Sequence, residues 1–457
     1  MPASQADPKP AATPIQPAWK RSGTVYIVGL DGLSPAVAEP MMARGELPNL
    51  RRLAAEGCHG PMETVRPTSS PLIWTTIATG RPSSEHGIEG FTLYRFLGRR
   101  LPRKKWAAMK RLGLKPLLRL ARNFRLIRRE VDDGRSVLVK RFWEILSDGG
   151  NSVVVVNWWN SWPAEPLRGI LISDRVHYWR VASRFDGVIR QEALAYPEAM
   201  VEAVQPMITP PEAITPDAMR PFLTMSEAEF QEFLRAPYTR RSVQGGLRYL
   251  LSCDQSQRRI FDLCMGQTPA PDVAAVYFRA PDMLAHSAFQ YMTGCDRMPV
   301  PEQDRRWYAN VVPQAYRYAD ESLGGVMARV KPGDAVLVMS DHGFGFQEKD
   351  GTYGHRFGEP PGMIFAWGGE FQQGKRIEGA TVYDVLPTLL RICGYPKAND
   401  MPGRCFEESL TAEFRQAHPP LPPVESYGPR VPGGTYDMSD AVGKEVEKHL
   451  RALGYLD

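Results

Sequence analysis

Three short apolar runs, far apart in the chain, each lead into acids. Residues 24–29 lead to Asp31 in GTVYIVGLDG, VAAVYF (273–278) leads to Asp282, and AVLVMS (335–340) runs into Asp341-His342. NSVVVVNWW and GMIFAWG (362–368) are further runs of the same kind. Between them lie helical patterns, among them LPNLRRLAAEG (47–57) with Gly57 as a stop and PLIWTTIATG (71–80) ended by Gly80. Short apolar runs separated by helical stretches predict buried parallel strands with crossover helices, an α/β fold. Ligands of such sheets bind beyond the carboxyl ends of the strands. Three strands therefore deliver carboxylates to one rim.

The remaining chain is organised around that rhythm. Residues 1–22, Pro- and Ala-rich and without an apolar h-region, predict a disordered leader. Residues 23–415 form the expected catalytic domain, with cap insertions at about 92–150 and 174–268. The segment 416–457 reads as a Pro/Gly-rich linker and a terminal amphipathic helix capped by Ser439 or Asp440. Six cysteines stand far apart, so reduced, buried thiols are expected rather than a disulfide framework. No run of eighteen apolar residues occurs, which argues against a membrane-spanning helix and makes the cytoplasm the expected compartment. A net charge of +5 over 457 residues is too small to argue for a nucleic-acid partner.

The candidate ligands gain force together. Asp282 and His286 stand four apart, which puts both on one face of a helix beginning near Asp282. Asp341 and His342 are adjacent in a loop leaving a strand, where neighbours can reach two different ions. His355 follows Gly354, which permits close backbone approach. Taken singly, Asp31 could be a turn former and the Asp282/His286 pair an exposed helix face. As a set of carboxylates and imidazoles at strand ends, they suit zinc, and also manganese or iron. A nucleophile is offered by RPTSSPLIWTTIATG. Ser70 precedes Pro71 and is the expected N-cap of a helix, where free N–H groups favour an anion; Ser69 is the alternative in register.

GLDG, SPLIWTTIATGRPSSEHGI, PDMLAH, SDHG and GH, in this order, resemble the alkaline phosphatase superfamily and its type I phosphodiesterase/nucleotide pyrophosphatase branch. The similarity covers about 24–90 and 270–405, including the later MPGR at Met401–Arg404, and is weaker at 138–173. It implies an alkaline-phosphatase-like doubly wound, mostly parallel sheet and two divalent ions, most readily zinc. One ion would take Asp282, His286 and His355; the other would take Asp31, Asp341 and His342, with Ser70 bound to it as nucleophile. The implied reaction is phosphodiester hydrolysis through a phosphoseryl intermediate. A phosphomonoesterase or phosphonate hydrolase could use the same site. Two positions depart from the family pattern: Ser70 stands where diesterases commonly carry Thr, and Phe91 where many nucleotide pyrophosphatases carry a phosphate-binding Asn. No Arg completes a sulfatase pattern after Ser69.

Between Arg99 and Arg129 lie thirteen Lys or Arg residues and no acid, interleaved with Trp106, Met109, Leu114, Leu117, Leu118, Ala121 and Phe124. Pro116 must break or kink any helix there. Three readings stay open: a cap helix packed on the core, an anionic-membrane or polyanion surface, and an entry funnel for phosphate compounds. The expected partners are accordingly a phosphate-ester small molecule or lipid and an anionic membrane surface through residues 99–129. A catalytically silent membrane-surface protein is the alternative of a different class. Trp158, Trp159 and Trp162 read as core aromatics or as a cleft lining.

Overall fold

The computed structural model describes residues 14–452 except 125, 187–190, 240, 268, 357, 359, 432–435 and 437. Residues 1–13 of the expected leader lie outside them. Residues 14–22 run along the core: the Ala18 N–H donates to the Gly394 carbonyl, and Trp19 stacks on His418 at 4.5 Å.

The strands in chain order are β1 (Val25–Leu30), β2 (Cys58–Glu63), β3 (Thr92–Phe96), β4 (Arg99–Leu101), β5 (Ile127–Val131), β6 (Val153–Val156), β7 (Gly169–Ile172), β8 (Ala195–Tyr196), β9 (Val273–Phe278), β10 (Ala335–Met339), β11 (Gly345–Gln347), β12 (Thr352–Gly354), β13 (Gly362–Gly368), β14 (Lys375–Arg376) and β15 (Ala380–Thr381). Ten of them form one sheet in the order β14-β2-β13-β10-β1-β9-β6-β7-β8, with β15 also on β2. Its centre, β10-β1-β9-β6-β7, is parallel throughout. β13 and β8 attach antiparallel on either side of this centre. The fold is α/β, with a mixed, mostly parallel sheet.

Every described residue of β1, β6, β9 and β10 is buried, because both faces are covered. Successive side chains divide between two cores, as the two-residue period of a strand requires. Val28, Val154, Val276 and Val338 face one core; Ile27, Val155, Ala275 and Leu337 face the other. The first core is covered by helices that include Pro48–Glu56, Val243–Gln267, Asp282–Ala288, Val311–Met327 and Asp440–Ala452. The second is covered by helices Ser70–Thr79, Phe142–Asp148 and Val385–Ile392.

Register then sets the rim. Gly29 pairs with Met339 on one side and Tyr277 on the other, and Leu30 pairs with Phe278. The residues that follow β1, β9 and β10 therefore emerge level with one another. Residues 92–131 carry a separate three-stranded sheet, β4-β3-β5, with two short helices, Arg103–Arg111 and Lys115–Asn123. The break between those helices falls at Leu112–Leu114, with Gly113 left-handed at φ 75°, so that Pro116 sits in a first helical turn where its missing N–H costs nothing. Cys58, Cys253, Cys264, Cys295 and Cys393 are buried free thiols; Cys405 is half-buried. No helix among the described residues is long and apolar enough to cross a membrane.

Candidate metal centre

β1 delivers Asp31 by one residue of extra ladder. The Asp31 N–H donates to the Phe278 carbonyl, and the Asp31 carbonyl accepts from the Asp282 N–H. The two acid loops thus lie side by side. Gly32 makes this contact feasible: its φ is 75°, and a Cβ there would fall 2.7 Å from the Asp282 Cβ. Helix Asp282–Ala288 starts at Asp282, and four residues on it presents His286 on the same face. After β10, the Ser340 hydroxyl donates to the His342 carbonyl and accepts from the Leu33 N–H, tying the Asp341-His342 loop to the β1 loop. His355 comes from the loop after β12.

Two groups of ligand atoms result, each within 4.8 Å of one another: Asp282, His286 and His355, and Asp31, Asp341 and His342. In the first, His286 Nε2 lies 3.4 Å from Asp282 Oδ2, His355 Nε2 lies 3.7 Å from Asp282 Oδ1, and the two imidazole nitrogens are 3.2 Å apart. In the second, His342 Nε2 lies 3.4 Å from Asp341 Oδ2 and 3.6 Å from Asp31 Oδ1. The groups adjoin, since the His342 and His355 rings stack at 3.8 Å. Adjacency of Asp341 and His342 in sequence allowed them to serve different ions; the structure instead puts both in one group.

The donor set fits divalent cations. Asp31 Oδ1, Asp282 Oδ1, both Asp341 carboxylate oxygens and His342 Nε2 are buried and make no hydrogen bond. An orphaned buried carboxylate oxygen is costly unless a cation meets it. His342 Nδ1 lies 3.0 Å from the Gly343 carbonyl, which can only accept, so Nδ1 carries the proton and Nε2 keeps its lone pair toward the site. Burial, then the neighbouring Asp341 and Asp282 charges, push the Asp31 carboxyl well above its usual range. Burial likewise pushes Asp341 up to about 8. Asp282 shifts the other way: burial opposes ionisation, but the His286 imidazole beside it, through charge and a hydrogen bond, holds it below the usual range. Burial holds His355 well below the usual imidazole value, hence neutral and able to ligate. Each group offers three ligands of the types zinc takes, which in a catalytic site leaves a position open.

Helix Ser70–Thr79 lies against this rim. A Cβ on Gly29 would meet the Trp74 ring at 2.8 Å, so glycine lets the helix approach β1 closely. Trp74 packs edge-on against Tyr277 at 5.1 Å and Trp158 at 5.2 Å. Asn160, in the loop beyond β6, donates to the Pro71 carbonyl at 3.1 Å and to Thr75 Oγ1 at 2.8 Å, holding the N-terminal end of the helix at the rim. The N-cap is Ser69, not Ser70 as the sequence suggested. Ser70 is the first helical residue and Pro71 the second, a shift the first turn tolerates because its N–H groups lack intrahelical partners anyway. Neither serine caps by its side chain; both are buried, and the Ser69 hydroxyl makes no hydrogen bond. Trp158 and Trp162 are fully buried and Trp159 nearly so, which makes this cluster core rather than an open cleft. Phe91, the departure noted in the sequence, packs edge-on against Trp159 at 5.8 Å.

This order of loops is matched over residues 25–357 by the family model for type I phosphodiesterase/nucleotide pyrophosphatase. The chain belongs to that family. It is thereby a phosphoric ester hydrolase, in a family that is metal-dependent. No curated protein matches the chain. Similar solved structures are remote. Murine ectonucleotide pyrophosphatase/phosphodiesterase 5, in complex with AMP, is 10% identical, over 85% of this chain and 100% of that one, with a TM-score of 0.45. Phosphonate monoester hydrolase from Silicibacter pomeroyi is 13% identical, over 87% and 78%, with a TM-score of 0.45. Phosphonoacetate hydrolase from Sinorhizobium meliloti is 14% identical, over 73% and 59%, with a TM-score of 0.34.

Sequence reasoning missed several supports of this phosphodiesterase-family site. Tyr277 donates through its hydroxyl to Asp31 Oδ2, yet in VAAVYF it reads only as a strand residue. Asn160 and Asn157 are both left-handed, at φ 57° and 61°, which Asn tolerates better than other side-chain-bearing residues; two Asn residues flanking a strand exit were the available signal. His86 of the HGI motif is a buried core histidine: its Nδ1 accepts from the Ile88 N–H, and its Nε2 lies 3.1 Å from Thr76 Oγ1. The MPGR loop packs at the helix end, where Met401 and Leu386 surround Gly80.

Proposed function

We propose that this enzyme hydrolyses phosphate diesters with Ser70 as nucleophile and two divalent ions, one on Asp282, His286 and His355, the other on Asp31, Asp341 and His342. The observation that carries the reading is the pair of adjoining ligand triads with orphaned oxygens, beside a helix that begins at a buried serine. Bound there, the ions would supply Lewis acidity toward phosphoryl oxygens and favour the serine alkoxide. Zinc is the metal we favour for one triad of a carboxylate and two imidazoles and another of two carboxylates and an imidazole, with manganese or iron as alternatives.

The chain's own residues then do the following. Ser70 Oγ attacks phosphorus and forms a phosphoseryl ester as the bond to the leaving alcohol breaks; the serine proton passes to solvent and the alcohol regains one. Water attacks the phosphoseryl group, the P–Oγ bond breaks, and Ser70 recovers its proton. Asn160, by gripping Pro71 and Thr75, keeps Oγ in line. Tyr277 and the Gly343 carbonyl orient Asp31 and His342.

The test compares bis-aryl with mono-aryl phosphate esters as substrates for zinc-loaded protein, with manganese-loaded protein alongside. Faster diester turnover is expected; predominant monoester turnover overturns the diesterase reading. Ser70→Ala should retain two metal equivalents and lose turnover, and Ser69→Ala should retain both. Asp282→Ala should lose one metal, and full occupancy in that variant counts against the assignment.

A further inference from the structure

Eight of the eleven large hydrophobic side chains standing exposed among the described residues lie between Phe96 and Leu126. They sit on β3–β5 and the two helices attached to it. The buried core of this unit is small, built on Trp106, Leu118 and Ile127, with Tyr94 stacked on Trp106 at 4.2 Å. On helix Lys115–Asn123, Leu118 and Ala121 turn toward that core. With about 100° between successive residues, Leu117, Leu120 and Phe124 fall on the adjoining stripe. They are 59%, 51% and 69% exposed. The apolar arc of this helix is thus wider than its core covers. Leu97, 65% exposed at the tip of the β3–β4 hairpin, adopts φ 49°, a left-handed conformation that costs a leucine more than Gly or Asn.

The stretch that carries this ridge has charges of one sign, with acids only at its border, where Glu130 pairs with Arg95. Thirteen Lys or Arg and no acid lie between Arg99 and Arg129, and Lys105, Arg111, Arg119 and Arg128 are exposed. A second copy of the chain, docked by the same patch, would set cation against cation, since a two-fold interface is self-complementary only if its charges alternate. An anionic bilayer satisfies both features, taking apolar side chains at the acyl boundary and cations among the headgroups. We propose that residues 96–126 dock the protein onto an anionic lipid surface. The unit is rooted near the metal centre: the Asp132 N–H donates to the Phe91 carbonyl, Phe91 packs on Trp159, and Trp159 packs on Tyr277 at 6.2 Å. If the reading of that centre as a diesterase site holds, docking places it beside phospholipid diesters. The docking itself does not depend on it.

Vesicle flotation tests this with full-length protein, using both the active enzyme and Ser70→Ala so that binding is read apart from turnover. Vesicles of phosphatidylcholine alone are compared with equal parts phosphatidylcholine and phosphatidylserine. Binding to the mixed vesicles at low salt, loss of it at high salt, and little binding to phosphatidylcholine are expected. Arg111→Ala with Arg119→Ala should weaken binding by about thirtyfold. Leu117→Ser with Phe124→Ser should weaken it by at least about tenfold. Both pairs are exposed, so aryl phosphate turnover should stay unchanged and report an intact fold. Absence of binding to the mixed vesicles overturns the proposal, as does undiminished, wild-type binding by both variants. Self-association abolished by Leu117→Ser with Phe124→Ser overturns it too, by naming a second copy as the occupant.

Discussion

The Tyr277 hydroxyl donates to Asp31 Oδ2 from the strand that also leads to Asp282. One strand, β9, therefore orients a carboxylate of one triad and supplies the acid of the other. Tyr277 is buried, and Asp31 keeps a second oxygen without a hydrogen bond in its candidate metal group. Removing the hydroxyl frees Asp31 to rotate without changing any ligand. Tyr277→Phe is expected to weaken metal binding at the Asp31 triad by about 10- to 100-fold and leave the Asp282 triad near wild type. Competitive metal titration against a chromophoric chelator separates the two sites. Equal weakening of both would mean that Tyr277 acts through general packing.

How far the sequence carried the site is clear from these residues. The six candidate ligands stood out because an apolar run that meets Asp or His at a strand exit interrupts its own pattern. Tyr277 offered no such interruption, since tyrosine belongs in a strand. Asn160 lies in a turn where Asn is ordinary, so its grip on Pro71 and Thr75 was invisible. Among the strands, β2 (CHGPME) contains Gly and Pro and lacks an apolar run, and β7 (GILI) is too short to stand out. Both owe their form to neighbours in the sheet rather than to their own propensity. Residues 92–131 form a basic unit whose strands no alternation announced.

Gly32 is the next lever, because it sets how closely the two acid loops pack. A side chain there requires φ 75° and meets Asp282 Cβ at 2.7 Å and Asp282 Cα at 2.9 Å. The Cα belongs to the backbone and cannot swing aside. Gly32→Ala should destabilise the fold by roughly 2 kcal/mol or more and displace Asp282 from its imidazole partners. Urea denaturation of the metal-free protein measures the first effect, and metal stoichiometry of the remaining folded protein the second. A variant of wild-type stability holding two metals would show that the loops can separate at little cost.

Asn160 gives a prediction for positioning alone. Its amide holds the Pro71 carbonyl and Thr75 Oγ1, and Thr75 Oγ1 also donates to that carbonyl at 2.7 Å. Asn160→Gly removes the amide while accepting the left-handed backbone. Stability should fall by about 1–2 kcal/mol, and kcat by roughly 10- to 100-fold, with metal content and KM close to wild type. Steady-state kinetics on a bis-aryl phosphate distinguish this from a binding role, which would move KM instead.

His86 predicts how stability depends on pH away from the metal ligands. Burial, reinforced by Arg100, holds its imidazole at about 3, against an ordinary value of 6.5. Between these values the unfolded chain takes up a proton that the folded chain refuses. The folded state therefore loses stability as pH falls from 6.5 toward 3, by about 1.4 kcal/mol per unit from this residue, and the contribution is complete above 6.5. Urea denaturation at pH 7 and pH 5, with a chelator present so that metal release does not contribute, should show this loss as a difference in slope between wild type and a variant without the imidazole. His86→Gln keeps an amide that can donate to Thr76 but has no proton to gain. It should be less stable at pH 7, having lost the acceptor for the Ile88 N–H, yet show a shallower fall toward pH 5. Identical slopes in the two proteins would show that His86 does not set the acid sensitivity; the raised Asp31 and Asp341 carboxyls, which bind protons in the folded state, act in the opposite direction over this range.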